Sequence, residues 1–394
     1  MLRYFTAGES HGEALVAVLS GLPAGMSVDQ SFIDRELWRR QQGFGRGGRM
    51  KIEKDTAHIL SGVRHGKTIG SPIAMLLQNK DWNNWQESLP VETGDPAKHK
   101  KLASPRPGHA DLAGALKYNF SEARYVLERA SARESTGRVA LGALAKLFLR
   151  ELNIEVLSHV IAVGKAGLGD TEVTWEALQQ LHAGNEVTLN CADPQAEQRM
   201  KAEVDQALRT GDSVGGVFEV VAHGVPPGLG TYAQWDERLD GLLAQAVMSL
   251  QAVKAVEIGT GVESAVSPGS SVHDEIGYAK EGSAATFTGF TRKSNHAGGI
   301  EGGISNGQEI LVRGYLKPIS TLRRPLGSVS FETREPVKAA YERSDVCVVP
   351  AAGVAAEAMV ALTLAKCALE KFGGDSITET LRNFEGYKQQ LREF

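Results

Sequence analysis

Ser121-Glu-Ala-Arg-Tyr-Val-Leu-Glu-Arg-Ala-Ser-Ala-Arg-Glu-Ser-Thr-Gly-Arg-Val-Ala-Leu-Gly-Ala-Leu-Ala-Lys-Leu-Phe-Leu-Arg-Glu-Leu152 is the most strongly helical stretch of the chain. Ser121 can cap it, and an Ala-, Leu- and Arg-rich body follows, broken only by Gly137 and Gly142. Alanine and glycine let neighbouring elements approach closely, so this helix is expected at the centre of the fold. Arg124, Glu128, Arg129, Arg133, Glu134 and Arg138 are spaced for ion pairs along it. Arg133, beside Glu134 and Ser135, can instead face inward toward an anion.

Working outward, residues 14–20 form an apolar run closed by a glycine-proline turn, which predicts a strand with His11 at its mouth. Ser27 can cap a helix over about 28–40, with Phe32, Ile33, Leu37 and Trp38 on its buried side. Strands are predicted at 57–63 and 72–78, joined by a basic turn, and residues 79–108 read as irregular. Further strands are expected at 154–164, 214–222 and 309–316. Helices are expected at about 236–256 and 351–370, and 165–213 reads as a more polar outlying layer. No linker divides the chain, so residues 1–394 are read as one large mixed α+β domain. Glycine-rich loops, a strand and long alanine-rich helices occur in both halves, a loose echo suggesting internal pseudo-duplication.

The chain has 394 residues, 42% of them apolar, and a formal charge of -4. Those values describe an ordinary globular protein, and the mildly acidic whole argues against nucleic acid as a partner. Nothing at the N-terminus reads as a signal peptide, and no run reaches 18 apolar residues, so no membrane partner is expected. Cys191, Cys347 and Cys367 are few and scattered, as in a reducing compartment, and the reading is of a cytoplasmic protein. The 44 glycines fall in clusters.

The basic charge is local. Arg39-Arg40-Gln41-Gln42-Gly43-Phe44-Gly45-Arg46-Gly47-Gly48-Arg49 carries four arginines and no acid, and reads as a loop that meets phosphate or carboxylate oxygens. Its literal match to a dinucleotide fingerprint misleads, because the loop follows a helix. Histidine exchanges protons near neutral pH, which singles out His11 in Gly8-Glu9-Ser10-His11-Gly12. It equally singles out His109 in Arg106-Pro107-Gly108-His109-Ala110-Asp111. His223 and His273 read as structural or surface residues. Residues 294–307 are too glycine-rich for regular structure and offer backbone N–H groups to an anion. Lys317 adds an ammonium, and Ser320 and Thr321 add hydroxyls. Asp345 is either a helix cap or a base kept ionised by Arg343. No metal-binding motif is present.

Together, Gly8–Gly12, Arg46–Arg49, Arg106–Asp111, Arg129–Glu134 and Arg343–Asp345 resemble, in order, the motifs of the chorismate synthase family. The resemblance spans essentially the whole chain. It implies a β-α-β sandwich with a helical core between antiparallel sheets, assembled as a homotetramer. It also implies a 1,4-anti elimination of phosphate from 5-enolpyruvylshikimate 3-phosphate, using reduced FMN with no net redox change. In the family's terms His11 protonates the departing phosphate, His109 supports the reduced flavin near N1, and Asp345 assists removal of the C6 proton. Arg40, Arg46, Arg49 and Arg106 would hold substrate, Arg40 and Arg46 also matching positions assigned to NADP. FMN contacts carry over to Arg133, Glu134, Ser135, Gln251, Ala252, Gly302, Lys317, Pro318, Ile319, Ser320, Thr321 and Arg343. No stretch is long enough for an extra flavin-reductase domain, so reduced flavin is expected from outside, from an external flavin reductase or another reductant, with NADPH-linked reduction one route.

Two other readings accommodate the arginines. A transferase of enolpyruvyl or phosphoryl groups would need no flavin, and a non-catalytic anion-binding protein would need no histidine. A doubly wound nucleotide fold is disfavoured by the missing strand–helix rhythm.

Overall fold

Leu15, Ala17 and Leu19 are buried along one face of a strand whose intervening residues are half-exposed, so the apolar run at 14–20 has one covered face. The computed structural model describes residues 1–47, 54–169, 171–184, 187–279, 287–342 and 345–394. Strands β1 (Arg3–Ala7) and β2 (Ala14–Ser20) lead to helix α1 (Gln30–Gln41), then β3 (His58–Ile59) and β4 (Ile73–Gln78). Helices α2 (Asp111–Tyr118), α3 (Arg124–Ala130) and α4 (Ser135–Glu151) precede β5 (Glu155–Val163) and β6 (Ala166–Gly167). Next come α5 (Trp175–Ala183), α6 (Pro194–Thr210) and β7 (Gly216–His223). After α7 (Leu239–Met248), β8 (Val253–Ile258) and β9 (Ile310–Leu316), helices α8 (Val349–Phe372) and α9 (Ile377–Glu393) close the chain.

Two main sheets form, both antiparallel throughout. One has the order β1-β2-β4-β3 and the other β8-β9-β7-β5-β6. Helix α4 packs on the first sheet, α8 on β5 and β7 of the second, and the two helices pack on each other. Small residues set these distances. A Cβ on Gly137 would lie 3.1 Å from Thr6 on β1, and one on Gly142 would lie 2.2 Å from the Cβ of Ala358. On the far side of α8, a Cβ on Gly353 would sit 2.9 Å from Ser158 of β5. Helix α8 is long and apolar enough to cross a membrane by length and composition, yet 78% of its apolar window is buried as core.

Several elements differ from the sequence reading. Asp29, not Ser27, caps α1, its carboxylate accepting from Ser31 N at 2.9 Å and Phe32 N at 3.2 Å. The helix predicted over about 28–40 runs to Gln41, so Arg39, Arg40 and Gln41, the start of the arginine-rich stretch also read as loop, are its last residues. The strand expected at 57–63 shrinks to His58–Ile59, with a tiny hairpin, 63–68, turning at His65 and Gly66, both at positive φ. The 121–152 helix is two helices, and Ser121 caps neither. The extended backbone of Ser131 ends α3, its hydroxyl accepts from Arg133 N at 3.3 Å, and a single 3₁₀ turn (Ala132–Glu134) follows.

The helix predicted at 236–256 stops at Met248. Ala252 takes a left-handed φ of 69°, and Val253–Ile258 pair with β9 instead, because sheet partners override local helical preference in a β-branched run. Helices α2 and α9 were not foreseen. Most of the glycine-rich loop at 294–307 is explained by backbone crossings: Cβ atoms on Gly259 and Gly298 would lie 2.1 Å from His296 O and 2.4 Å from Gly259 N.

The helical core holds a buried ionic network. Arg39 of α1 donates to Glu36 at 2.7 Å and to both oxygens of Glu357 of α8 at 2.8 and 2.6 Å. Lys146 of α4 meets Glu36 at 2.5 Å and also Glu357, and Ser158 donates to Glu357 at 2.6 Å. Burial, with Arg39 alongside, pushes His182 down to about 4, so this ring is neutral where it meets Arg39 at 2.9 Å. Two cations balance two carboxylates, and the acids meeting Arg39 belong to the fold.

Candidate active site

Two linked clusters contain most of the predicted site residues. The first starts in the loop between β1 and β2. His11 is nine-tenths buried, and its Nδ1 lies 2.9 Å from Glu128 Oε1, while its backbone N–H donates to Glu128 Oε2 at 2.7 Å. Trp85, from the irregular stretch, covers the imidazole with ring centroids 4.1 Å apart. Asn79 clamps the loop, its Nδ2 donating to Glu9 O at 3.1 Å and Gly12 O at 2.7 Å. Its Oδ1 accepts from Arg133 Nε at 2.8 Å.

Arg133 therefore does face inward, and the carboxylate it meets is that of Asp55, at 2.6 and 2.8 Å. Arg40 approaches the same carboxylate at 3.8 Å and donates to Thr136 Oγ1. Asp345 joins from beyond, accepting from Gly47 N at 2.5 Å and pairing with Arg46 at 3.2 Å. It does not cap α8, whose N-cap position is Val348. Arg49 and Arg343 lie outside the described residues.

Three guanidinium groups, Arg40, Arg46 and Arg133, thus share two carboxylates. Burial pushes Arg40 down to about 10; Asp55 opposes this, and Arg133 and Arg46 push the same way. Its buried Nε has no hydrogen-bond partner among the described residues. Such a group is cationic at neutral pH, and an arriving anion relieves both the crowding of like charge and the unmet donor.

The second cluster centres on Asp111, the first residue of α2. Arg106 donates to it from Nε at 2.8 Å and Nη2 at 3.0 Å, and His109 Nδ1 contacts it closely. Burial works against the charge of Asp111, but these hydrogen bonds outweigh it and hold the carboxyl below its usual range. The proline- and glycine-braced turn thus fixes Arg106 and His109 through a shared acid. Arg106 Nη1 also donates to Thr321 Oγ1 at 3.1 Å, and Lys317 Nζ meets Gly108 O. Lys317 N bonds Ala252 O at 3.0 Å, and Ser213 holds Ile319 O at 2.6 Å. Nearby, Gln251 donates to Glu134 at 3.1 Å, and Glu134 also accepts from Thr6 at 2.6 Å and Arg138 at 3.0 Å.

The 3₁₀ turn at 132–134 carries Arg133, which enters the first cluster, and Glu134, which meets Gln251, next to the Ala252 whose carbonyl accepts from Lys317 N; Ser135 Oγ closes it on Ala132 O at 2.7 Å. Pro318 and Ser320 lie in the same segment as Lys317 and Thr321. Gly302 is different. It sits at a hairpin tip, at φ 60°, with open space where a Cβ would stand. No hydrogen bond among the described residues ties it to either cluster.

A family model described as chorismate synthase matches residues 2–369. The chain belongs to the chorismate synthase family. It is 76% identical, over the full length of both chains, to the chorismate synthase of Koribacter versatilis (strain Ellin345), and 54% identical, again over both full lengths, to that of Geobacter sulfurreducens. A crystal structure of chorismate synthase superposes with a TM-score of 0.79 at 41% identity, covering 100% of this chain and 99% of that one. Within this chorismate synthase fold, the sequence reading missed Asp55, Asn79 and Trp85 as site builders, and saw Glu128 only as a helix ion-pair partner. Asp55 and Asn79 carry no local signal, because each reaches Arg133 across more than fifty residues of chain.

Proposed function

We propose that this chorismate synthase eliminates phosphate from 5-enolpyruvylshikimate 3-phosphate in a 1,4-anti sense, giving chorismate, with reduced FMN and no net redox change. The observation that carries the reading is Arg40, a buried guanidinium whose Nε is unmet among the described residues and which is crowded by two further arginines, Arg46 and Arg133, with Asp55 and Asp345 as the described acids beside them. A phosphorylated dicarboxylate supplies the anionic oxygens this cluster lacks. The enzyme is then a carbon–oxygen lyase of the last shikimate-pathway step, serving aromatic amino-acid biosynthesis.

The donor set also fits a flat phosphorylated cofactor. Lys317 and Thr321 meet the turn that carries Arg106 and His109, and Gln251, which donates to Glu134, precedes the Ala252 whose carbonyl accepts from Lys317 N. Reduced FMN, when bound, lends electron density to the allylic system and recovers it. His11 donates a proton to the departing phosphate oxygen, with Nδ1 engaged by Glu128 and the exchangeable proton on Nε2. Arg40, Arg46, Arg49 and Arg106 hold phosphate and carboxylates. Asp345, braced by Gly47 N and Arg46, serves removal of the C6 proton, and His109, braced by Asp111, would hold a proton toward the cofactor when it is bound. Arg133, Glu134, Ser135, Gln251, Ala252, Gly302, Pro318, Ile319, Ser320 and Arg343 would complete the set that holds FMN.

The same reading includes one domain over residues 1–394, layered as a β-α-β sandwich with internal pseudo-duplication. A continuous apolar core running from Leu2 to Phe384 supports the single domain. It further includes a cytoplasmic homotetramer supplied with FMNH2 by an external flavin reductase or another reductant, NADPH-linked reduction being one route. The test is an anaerobic assay of phosphate release from 5-enolpyruvylshikimate 3-phosphate, with and without chemically reduced FMN. Chorismate only with reduced FMN, and no net consumption of it, is expected; equal product in both would remove the flavin and the roles of His109 and Asp345.

A further inference from the structure

We propose that Glu128 is a positioning residue that keeps His11 able to exist as the doubly protonated acid; this rests on the reading of His11 as the proton donor to phosphate. The geometry is specific. One carboxylate oxygen lies 2.9 Å from His11 Nδ1, and the other accepts the backbone N–H of the same residue at 2.7 Å. Glu128 O also accepts from Ser10 N at 2.8 Å, so α3 grips two consecutive residues of the loop. The ring is covered from outside by Trp85, tilted 37° to it, whose own Nε1 donates to Asp81 at 3.2 Å.

A histidine that gives its Nε2 proton as imidazolium needs an acceptor at Nδ1. Glu128 Oε1 is that acceptor, and a carboxylate carries no donor. Arg124 stands 3.7 Å from it and also pairs with Glu342 at 2.8 Å. Arg124 and Lys100 lie over the Trp85 ring at 5.1 and 4.0 Å from its centroid.

Glu128→Gln isolates the chemistry. The amide has one oxygen and one NH2, and a backbone N–H cannot change its role. The oxygen therefore stays on His11 N, and the NH2 turns to Nδ1. A donor facing Nδ1 makes that nitrogen an acceptor and excludes the imidazolium, while shape and the loop contact persist. Arg124 keeps Glu342 and Lys100 O, so no cation is stranded.

The experiment is a double-mutant cycle of His11→Ala and Glu128→Gln, assayed anaerobically with reduced FMN. His11→Ala should lower kcat by about 10²- to 10⁴-fold, and Glu128→Gln by roughly 10- to 100-fold with little change in KM, because the acid acts only in the transition state. Glu128→Gln should then cost no more than about twofold in the His11→Ala background, since the two act as a unit. Glu128→Asp retains a carboxylate and should turn over faster than Glu128→Gln, which keeps the test open if the glutamine variant folds poorly. Losses that multiply in the double variant, or Asp no better than Gln, overturn the role of Glu128 alone. Full turnover in His11→Ala overturns the reading of His11 and the proposal with it.

Discussion

Exchanging Glu357 for glutamine leaves the shape of the core intact and removes one charge from its middle. In the native protein this carboxylate accepts two bonds from Arg39, at 2.8 and 2.6 Å, one from Ser158 at 2.6 Å, and a contact from Lys146. After the exchange, Arg39 and Lys146 share Glu36 alone, and an NH2 faces donors. A hydrogen bond to a charged group contributes about 1.5–3 kcal/mol, and removing one partner of a buried pair costs about 3–5 kcal/mol. We expect a loss of roughly 3–5 kcal/mol, the upper end if the amide cannot turn its oxygen toward Arg39. Urea unfolding followed by tryptophan fluorescence, at matched chain concentration, measures it. Burial raises the pKa of Glu357, but Arg39 and Lys146 outweigh that and hold it below the ordinary carboxylate value. A depressed carboxyl contributes stability that is fully present above its unfolded pKa of about 4.3 and lost as pH falls through the folded value. The gap between wild type and variant should therefore narrow in acid. A loss under about 1 kcal/mol at pH 7, or a gap that widens in acid, would refute the charge argument.

Other positions give sharper local tests. Asp111→Asn removes the acid shared by Arg106 and His109, and should cost roughly 2–4 kcal/mol of stability at pH 7 while weakening substrate affinity, read by denaturation and titration. Because Asp111 is also held below its usual range, that stability is present above about pH 4 and lost on acidification. Gly142→Ala gains about 1 kcal/mol of helix propensity but drives a methyl to 2.2 Å from Ala358, so a net lowering of the unfolding midpoint is expected; an increase would mean α4 and α8 can slide apart. Ala252→Gly relieves a left-handed alanine and should raise stability by about 1 kcal/mol, a rise absent if a bound ligand alone imposes that turn.

Much of this protein was legible in local chemistry. The covered face of β2, the strands around 155–163, 216–223 and 310–316, and helix α8 all follow from patterns within ten to twenty-five residues. The same holds for Arg106 and His109, whose proline- and glycine-braced turn is local and whose shared partner, Asp111, is five and two residues away. Whole-chain motif order was specific enough to imply the family from sequence alone. What failed locally failed for tertiary reasons. Residues 253–258 have helical neighbours but a strand partner sixty residues on, and the helix ends where that partner is available. The arginines of 39–46 look alike in sequence, yet Arg39 is spent on Glu357 while Arg40 keeps a donor unmet among the described residues. Composition determines that a chain is rich in charge and small residues. Which guanidinium is neutralised and which is left for a ligand depends on acids hundreds of residues away, and only the packing of α1, α4 and α8 brings them within hydrogen-bond reach.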